Sequence, residues 1–210
     1  MIFFLKILII QFFLFFSVLS EEPKDDEEYY NDGVKYYDNG DFKESFIVFF
    51  NLSEKGNKDA IYNLSNMYFQ GIGTTQNYNK SLKYTWLCAL NGNKKCIKKL
   101  ENIKKKLDEK EMLLISETIP EILESSFKNE NNIISAFKLG YWYEKFSPEI
   151  DLEKSYLWYS VSVSAGIYKA MKLRDRVGEL IEKEKIKYLQ IEANKIFNKD
   201  KYFGGEKDDL

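Results

Sequence analysis

The chain of 210 residues contains no histidine, only two cysteines and only three prolines. Without an imidazole it can build neither a Ser–His nor a Cys–His catalytic dyad, and it lacks the usual general base near neutral pH. Histidine-ligated metal sites are excluded for the same reason, and two cysteines alone are too few for a thiolate metal site. We therefore expect no metal, no cofactor and no enzymatic activity.

An excess of charge of either sign is also missing, since 31 basic and 33 acidic residues give a formal net charge of −2. Proteins that bind nucleic acid usually carry a basic excess that neutralises phosphates. Residues 94–106 are locally rich in lysine, and we interpret this run as the solvent-facing side of a helix. The balance predicts that nucleic acid is not a partner.

Residues 1–20, MIFFLKILIIQFFLFFSVLS, form a long apolar run with a single charge at Lys6. The small residues Val18 and Ser20 suit cleavage after Ser20, and an acidic stretch follows, so we predict a secretory signal peptide. Retention as a membrane anchor is the alternative, because the run approaches the ~20 residues that span a bilayer. Cleavage would leave 30 basic and 33 acidic residues, a net charge of 30 − 33 = −3. No later segment is apolar enough to cross a bilayer, so we expect no membrane association after cleavage.

Residues 60–96 predict two helices joined by a glycine loop, with a turn at Gly92 into a third helix. Ala60, Leu64 and Tyr68 recur every four residues, which places them on one face of a helix. The loop contains Gly71 and Gly73, and a second amphipathic run follows it. A single helical hairpin cannot bury both of its faces, so this unit needs neighbours of its own kind, as in a repeat array.

Residues 136–170 repeat this pattern with a loop of slightly different length. The matched positions are Leu64 with Leu139, Ser65 with Gly140, Tyr68 with Tyr143, Ser81 with Ser155, and Gly92 with Gly166. Both segments resemble the Sel-1-like repeat. The segment from residue 27 to residue 57 resembles the related tetratricopeptide repeat through Gly33, Tyr36, Gly40-Asp41-Phe42 and Ser45. In that unit Asp41 is placed to cap the second helix.

The resemblance implies an all-α fold of the α–α superhelix type, a short right-handed solenoid of Sel-1-like and tetratricopeptide-like hairpins. Proline inside a helix removes a hydrogen bond, so we expect a kink or a stop near Pro120. The expected organisation is a signal peptide (1–20), an acidic lead-in (21–26), a repeat domain (27–199) with units at about 27–57, 58–96 and 131–170, a helical insertion (97–128), closing helices (171–199) and a disordered tail (200–210).

The two cysteines flank the predicted turn at Gly92, Cys88 near the end of one helix and Cys96 near the start of the next. Antiparallel helices joined by so short a loop can bring two Cα atoms within the ~5.5–6 Å that a disulfide requires. We therefore predict a Cys88–Cys96 disulfide in an oxidising compartment. The same placement resembles the bacterial cysteine-rich Sel-1-like proteins. The alternative is that both cysteines are small packing residues, as Ser162 and Ala170 are at the matching positions of the other copy.

Such solenoids expose the first helices of successive hairpins on a concave surface. By the tetratricopeptide offsets, the residues lining this groove are Tyr30, Val34, Tyr37, Tyr62, Asn66, Phe69, Gln70, Phe137, Tyr141 and Glu144. Aromatic and amide side chains together suit an extended peptide or a partner helix, although we expect about half of them to belong to the core. The resemblance thus implies a non-enzymatic interaction or scaffold module that binds another protein outside the cytoplasm, in the bacterial periplasm or as a secreted chain.

Two alternatives remain open. Cysteine-rich Sel-1-like proteins are linked to β-lactam or peptidoglycan chemistry, and the Ser-x-x-Lys strings Ser125–Lys128 and Ser135–Lys138 fit one element of that chemistry, without the companion motifs. The second alternative is an adaptor of the endoplasmic reticulum lumen. The terminal Lys-Asp-Asp-Leu, at residues 207–210, is one residue from a retention signal, and sequons begin at Asn51, Asn63 and Asn79.

Overall fold

The computed structural model describes residues 25–201, with side chains as far as residue 198. Every regular element in this range is helical. The predicted signal peptide, most of the acidic lead-in and all but the start of the tail lie outside the described residues. The ten α-helices of the described range are α1 (Asp26–Asn39), α2 (Phe42–Glu54), α3 (Lys58–Gln70), α4 (Tyr78–Leu90), α5 (Lys94–Lys104), α6 (Glu109–Asn129), α7 (Ile133–Tyr141), α8 (Leu152–Ser164), α9 (Ala170–Gly178) and α10 (Lys183–Lys201). Between residues 25 and 201 no helix is both long and apolar enough to span a membrane.

Three hairpins, α1–α2, α3–α4 and α7–α8, are closed by the same buried hydrogen bond. A serine hydroxyl in the second helix donates to the backbone carbonyl of a small residue in the first helix, where the two helices approach most closely. The pairs are Ser45 with Gly33 (2.8 Å), Ser81 with Ser65 (2.8 Å) and Ser155 with Gly140 (2.9 Å). The small residues and serines of the sequence pattern therefore hold each pair of helices together.

A second contact recurs at the loop of each hairpin. The backbone N–H of the residue that precedes the second helix donates to the carbonyl of a tyrosine, which lies in the first helix or, in the third hairpin, in the turn directly after it (Trp142–Phe146). The pairs are Asp41 with Tyr36 (2.9 Å), Asn77 with Tyr68 (2.9 Å) and Asp151 with Tyr143 (3.0 Å). Asn77 and Asp151 also cap their helices through their side chains. Asp41 stands at the N-cap position of α2, as predicted, but its side chain makes no capping hydrogen bond there.

The hairpins stack in sequence order. Helix α2 packs on α3, α4 packs on both α5 and α6, α6 packs on α7, and α8 is covered by α9 and α10. The main core runs from the first two hairpins through α7 to Trp158 and Val161 of α8. Within it, the rings of Trp86 and of Trp142, the residue directly after α7, meet edge to face at 5.1 Å. A smaller cluster around Tyr159 and Leu189 joins α8 to α9 and α10. The prediction of an all-α array of helical hairpins is confirmed.

Two local predictions need correction or completion. Helix α6 continues through Pro120 to Asn129, so the predicted stop near the proline is absent. The third hairpin lacks the two loop glycines of the second. In their place, a π-helical turn (Trp142–Phe146) follows directly on α7 and carries the chain toward α8.

The disulfide between Cys88 and Cys96 is present, with the two Cα atoms 5.9 Å apart, and this prediction is confirmed. The turn it spans contains Gly92, whose φ of 84° lies in the left-handed region. In the first and third hairpins the matching junctions have Gly56 and Gly166 in the same conformation. The residues at the two cysteine positions are there Leu52 with Ala60, and Ser162 with Ala170, all fully buried.

Candidate functional site

A cavity of about 350 Å³ opens between the first helices of the first two hairpins. Four of the ten predicted groove residues line it. These residues are Tyr30, Val34 and Tyr37 from α1, and Asn66 from α3. Three further residues line the cavity without being predicted as groove residues from the sequence, namely Phe49, Asn63 and Met67. Phe49 and Met67 have the spacing of core residues, and each is almost fully buried. Only their position at the base of the cavity distinguishes them from other core residues.

The polar groups of this cavity are neutral. Asn63 donates a hydrogen bond to the Tyr30 hydroxyl at 3.1 Å and thereby joins α3 to α1 across the cavity. Burial raises the pKa of Tyr30, with a smaller contribution from the charge of Asp59, and these effects outweigh the bond from Asn63. The phenol is therefore protonated at neutral pH. The cavity offers an aromatic and aliphatic lining with two amides, which suits an apolar side chain held beside a peptide backbone.

Beside the cavity, Lys99 of α5 reaches back to the preceding first helix. Its ammonium donates to the Asn66 side-chain oxygen at 2.6 Å and to the Ser65 hydroxyl at 2.9 Å. It also lies 5.2 Å from the centre of the Phe69 ring. Burial lowers the pKa of Lys99 to about 8. No carboxylate in the described part of the chain forms an ion pair with it, so this amine places a positive charge at the edge of the cavity.

Helix α5 thus occupies the place of a first helix, although its sequence carries no repeat signature. Asparagine caps both α3 and α5, at Asn57 and Asn93. Counting from these caps, an offset of 93 − 57 = 36 residues aligns Lys99 with Asn63. Each of the two side chains contacts the first helix before it. The capping residues are the sequence signal that could have identified Lys99.

The remaining groove residues of the second hairpin lie beyond the cavity. Tyr62 is half-buried, and Lys95 of α5 lies over its ring at 5.7 Å. Phe69 is also half-buried, and its ring packs against Tyr78 as well as Lys99. Gln70 is exposed at the end of α3. The rings of Tyr62 and Phe69 therefore lie beneath lysines of α5, although the lysine-rich run 94–106 predicts a solvent-facing helix surface.

The three groove residues predicted in the third hairpin do not join the cavity. Phe137 and Tyr141 stack on one another at 6.5 Å, and Lys169 covers the Phe137 ring at 4.2 Å. Glu144 is buried, and its carboxylate accepts a hydrogen bond from the Tyr159 hydroxyl at 2.9 Å. It also pairs with Lys145 and Arg176. Glu144 therefore ties the third hairpin to α9, a role in packing that its tetratricopeptide offset does not indicate.

No family model matches the chain. No curated protein matches it either. Among solved structures, the chain is similar to c5321, a protective antigen present in uropathogenic Escherichia coli strains and displaying an SLR fold. The identity is 14%, the TM-score is 0.30, and the alignment covers 75% of this chain. The present chain spans 41% of the length of that antigen.

The two Ser-x-x-Lys strings have different surroundings. Lys128 forms an ion pair with Glu124 at 3.1 Å, and the exposed Ser125 accepts a hydrogen bond from Asn129. Ser135 and Lys138 both line a second cavity of about 370 Å³, and burial lowers the pKa of Lys138, with Lys58 adding to the effect. Among the described residues no hydrogen bond joins Ser135 to Lys138. Within the same range, no group of three or more acidic or cysteine side chains could hold a metal ion.

Proposed function

We propose that this chain is a non-enzymatic interaction module that holds a peptide segment of another protein against the first helices of its hairpins. The observation that carries the proposal is the cavity between α1 and α3. Residues separated by more than thirty positions, from Tyr30 to Asn66, converge on one concave surface with an apolar base and amide groups. Its volume of about 350 Å³ falls in the range of pockets that enclose a ligand group.

The chemistry of the lining defines the segment that would fit. An apolar side chain of the partner would enter between Tyr37 and Met67, because the base of the cavity is hydrophobic. Asn66 lies at the wall, where a side-chain amide can bond a peptide backbone. Lys99, beside Asn66, favours a carboxylate of the partner near this end of the cavity, since no acidic side chain between residues 25 and 198 forms an ion pair with its amine.

An extracytoplasmic location is part of the same proposal. A buried disulfide between neighbouring helices is typical of proteins in an oxidising compartment. The bacterial envelope and the lumen of the endoplasmic reticulum both meet this condition. A sugar on Asn63 would occupy the cavity, because Asn63 lines it and bonds Tyr30. That geometry favours the envelope.

Selection from a displayed peptide library on the oxidised protein tests the proposal. We expect enriched peptides to share an apolar anchor and to lose affinity for the Tyr37→Ala variant. Tyr36→Ala is the matched control, because Tyr36 is 39% exposed and Tyr37 is 37% exposed on the same helix, yet only Tyr37 lines the cavity. Equal loss for both variants, or no enrichment at all, would contradict the proposal.

The β-lactam alternative has a separate test. Ser135 and Lys138 share a cavity, and Lys138 carries a lowered pKa, which is the one observation in its favour. Incubation with a fluorescent penicillin should leave the protein unlabelled if the chain is an interaction module. Covalent labelling that the Ser135→Ala change abolishes would instead establish a reactive serine.

A further inference from the structure

A larger cleft, of about 880 Å³, lies toward the other end of the array. Its walls come from three separate segments, namely the middle of α6, the π-helical turn with the start of α8, and the connection between α9 and α10. It shares no lining residue with the cavity between α1 and α3. The cleft is therefore a separate concave surface that the interaction proposed above does not use.

Apolar side chains line this cleft without being covered. Ile150 is 53% exposed and Leu180 is 68% exposed, and Ile181 is half-buried beside them. Trp142 and Tyr143 of the π-helical turn are buried at its base. Exposed aliphatic residues around an aromatic base are typical of surfaces that anchor an apolar side chain of a partner.

The charge of the cleft is strongly one-sided. Five carboxylates and two lysines line it. Both lysines are already paired, Lys185 with Glu153 at 2.6 Å and Lys154 with Asp151 at 3.4 Å. The three remaining carboxylates belong to Glu117, Glu149 and Glu182, and no basic side chain in the described range lies within ion-pair distance of them.

We propose that this cleft binds a basic amphipathic peptide segment of another protein, with its lysine or arginine side chains on Glu117, Glu149 and Glu182 and an apolar side chain between Ile150 and Leu180. Charge complementarity is the reason for choosing this partner, because the five carboxylates of the cleft outnumber its two lysines and this net charge repels acidic segments and attracts basic ones. The apolar residues between them add affinity that charge alone does not supply.

The test measures fluorescence anisotropy of a labelled synthetic peptide built of lysine and leucine in amphipathic helical order. We expect saturable binding that weakens with ionic strength, and no binding of the matching glutamate–leucine peptide. The triple change Glu117→Gln, Glu149→Gln and Glu182→Gln should reduce affinity by about tenfold or more. The control triple Glu44→Gln, Glu109→Gln and Glu121→Gln makes the same change in net charge at exposed positions outside the cleft and should reduce affinity less than about twofold.

A single-residue pair separates apolar anchoring from charge. Leu180→Ser should weaken binding severalfold, whereas Leu114→Ser should not, although Leu114 is 66% exposed and Leu180 is 68% exposed. Equal effects of the two triple variants would show diffuse attraction and overturn the proposal. Self-association of the chain that the cleft triple variant abolishes would assign the cleft to a second copy, and it would also overturn the proposal.

Discussion

At the scale of single residues, the contact between the two helices of a hairpin depends on the sizes of two facing residues, one in each helix. In the third hairpin, a Cβ added to Gly140 would lie 2.4 Å from the Tyr159 ring. In the second hairpin the matching residues are Ser65 and Thr85. Threonine is smaller than tyrosine and leaves room for the Ser65 side chain, and the two hydroxyls are hydrogen-bonded at 3.1 Å. The size of the small residue in the first helix therefore limits the size of the residue that follows the hydrogen-bonded serine of the second helix by four positions.

The dependence of the two residue sizes on one another predicts the outcome of a double-mutant cycle at positions 140 and 159. Gly140→Ala should destabilise the protein by about 1–3 kcal/mol, because the added methyl group has no space beside Tyr159. The same change in a Tyr159→Thr background should have much less effect, since threonine is the residue found opposite Ser65. Urea unfolding of the four proteins measures the coupling, and additive effects would contradict the explanation.

Glu144 makes the stability of the third hairpin dependent on pH. Burial alone would raise the pKa of Glu144, but hydrogen bonds from Lys145 and Tyr159 and the charges of Lys145 and Arg176 outweigh it and lower the pKa. A lowered carboxyl pKa stabilises the fold above the unfolded-state pKa, and this contribution is lost as the pH falls through the folded-state value.

We therefore expect Glu144→Gln to destabilise the protein at neutral pH and to have a progressively smaller effect as the pH falls below about 4. Unfolding of both proteins at several pH values gives the free energy of unfolding of each protein as a function of pH. The curve of the Glu121→Gln variant, changed at an exposed position, should run parallel to that of the unmodified protein at every pH. A Glu144→Gln curve that stays parallel as well would show that the carboxylate does not act through its charge.

The sequence predicts the residues of the hairpin contacts better than those of the cavity. Small residues, tyrosines and serines have fixed spacings that follow from helix geometry, so Ser65, Gly140 and their partners are recognisable. The tetratricopeptide offset predicts Glu144 on the groove face, whereas in the structure its carboxylate pairs with Arg176, thirty-two positions away. Such distant partners leave no periodic signal.

At the scale of helices, the junctions between hairpins show why the disulfide could be predicted. Cys88 and Cys96 are eight residues apart across a turn with a left-handed glycine. The same separation and turn occur at Ser162 and Ala170. The Ser162 hydroxyl is buried and has no hydrogen-bond partner among the described residues, so a polar group there gains nothing from its position.

The similarity of the junctions at Cys88/Cys96 and Ser162/Ala170 predicts that a second disulfide can be introduced. Ser162→Cys with Ala170→Cys should form a bond on oxidation and stabilise the protein by about 2 kcal/mol, lost again on reduction. Ser162→Ala is the control, because it removes the unpaired hydroxyl without a cross-link. Mass spectrometry detects the bond, and thermal unfolding with and without reductant measures the gain. Failure of the two thiols to pair would show that the junctions differ in geometry.

Local sequence is less informative about two other elements. Pro120 predicts a kink or a stop, and the stop is absent because α6 continues through the proline. The helix is capped at its start by Asp108 and Glu111 and packs on α4 and α7, so tertiary contacts compensate for the lost hydrogen bond. The π-helical turn at Trp142–Phe146 replaces a glycine loop, and no spacing rule for ordinary helices anticipates it.

At the scale of the whole molecule, the two surfaces proposed to bind partners differ in chemistry. The cavity between α1 and α3 is apolar and neutral with Lys99 at its edge, whereas the cleft beside α8 is acidic. The order of helices and their stacking follow from the repeat pattern. The role of α5 does not follow from that pattern. Its lysine-rich sequence predicts a helix surface that faces solvent, whereas in the structure two of its lysines cover the rings of Tyr62 and Phe69.

Photo-crosslinking tests most directly whether the cavity between α1 and α3 holds a partner. A photoreactive phenylalanine analogue is placed at Tyr37, which lines the cavity, or at Tyr36, which is equally exposed beside it. The oxidised proteins are then irradiated with the peptides obtained by library selection. We predict crosslinked peptide at position 37 and little at position 36. Equal crosslinking at the two positions, or none at position 37, would contradict the account.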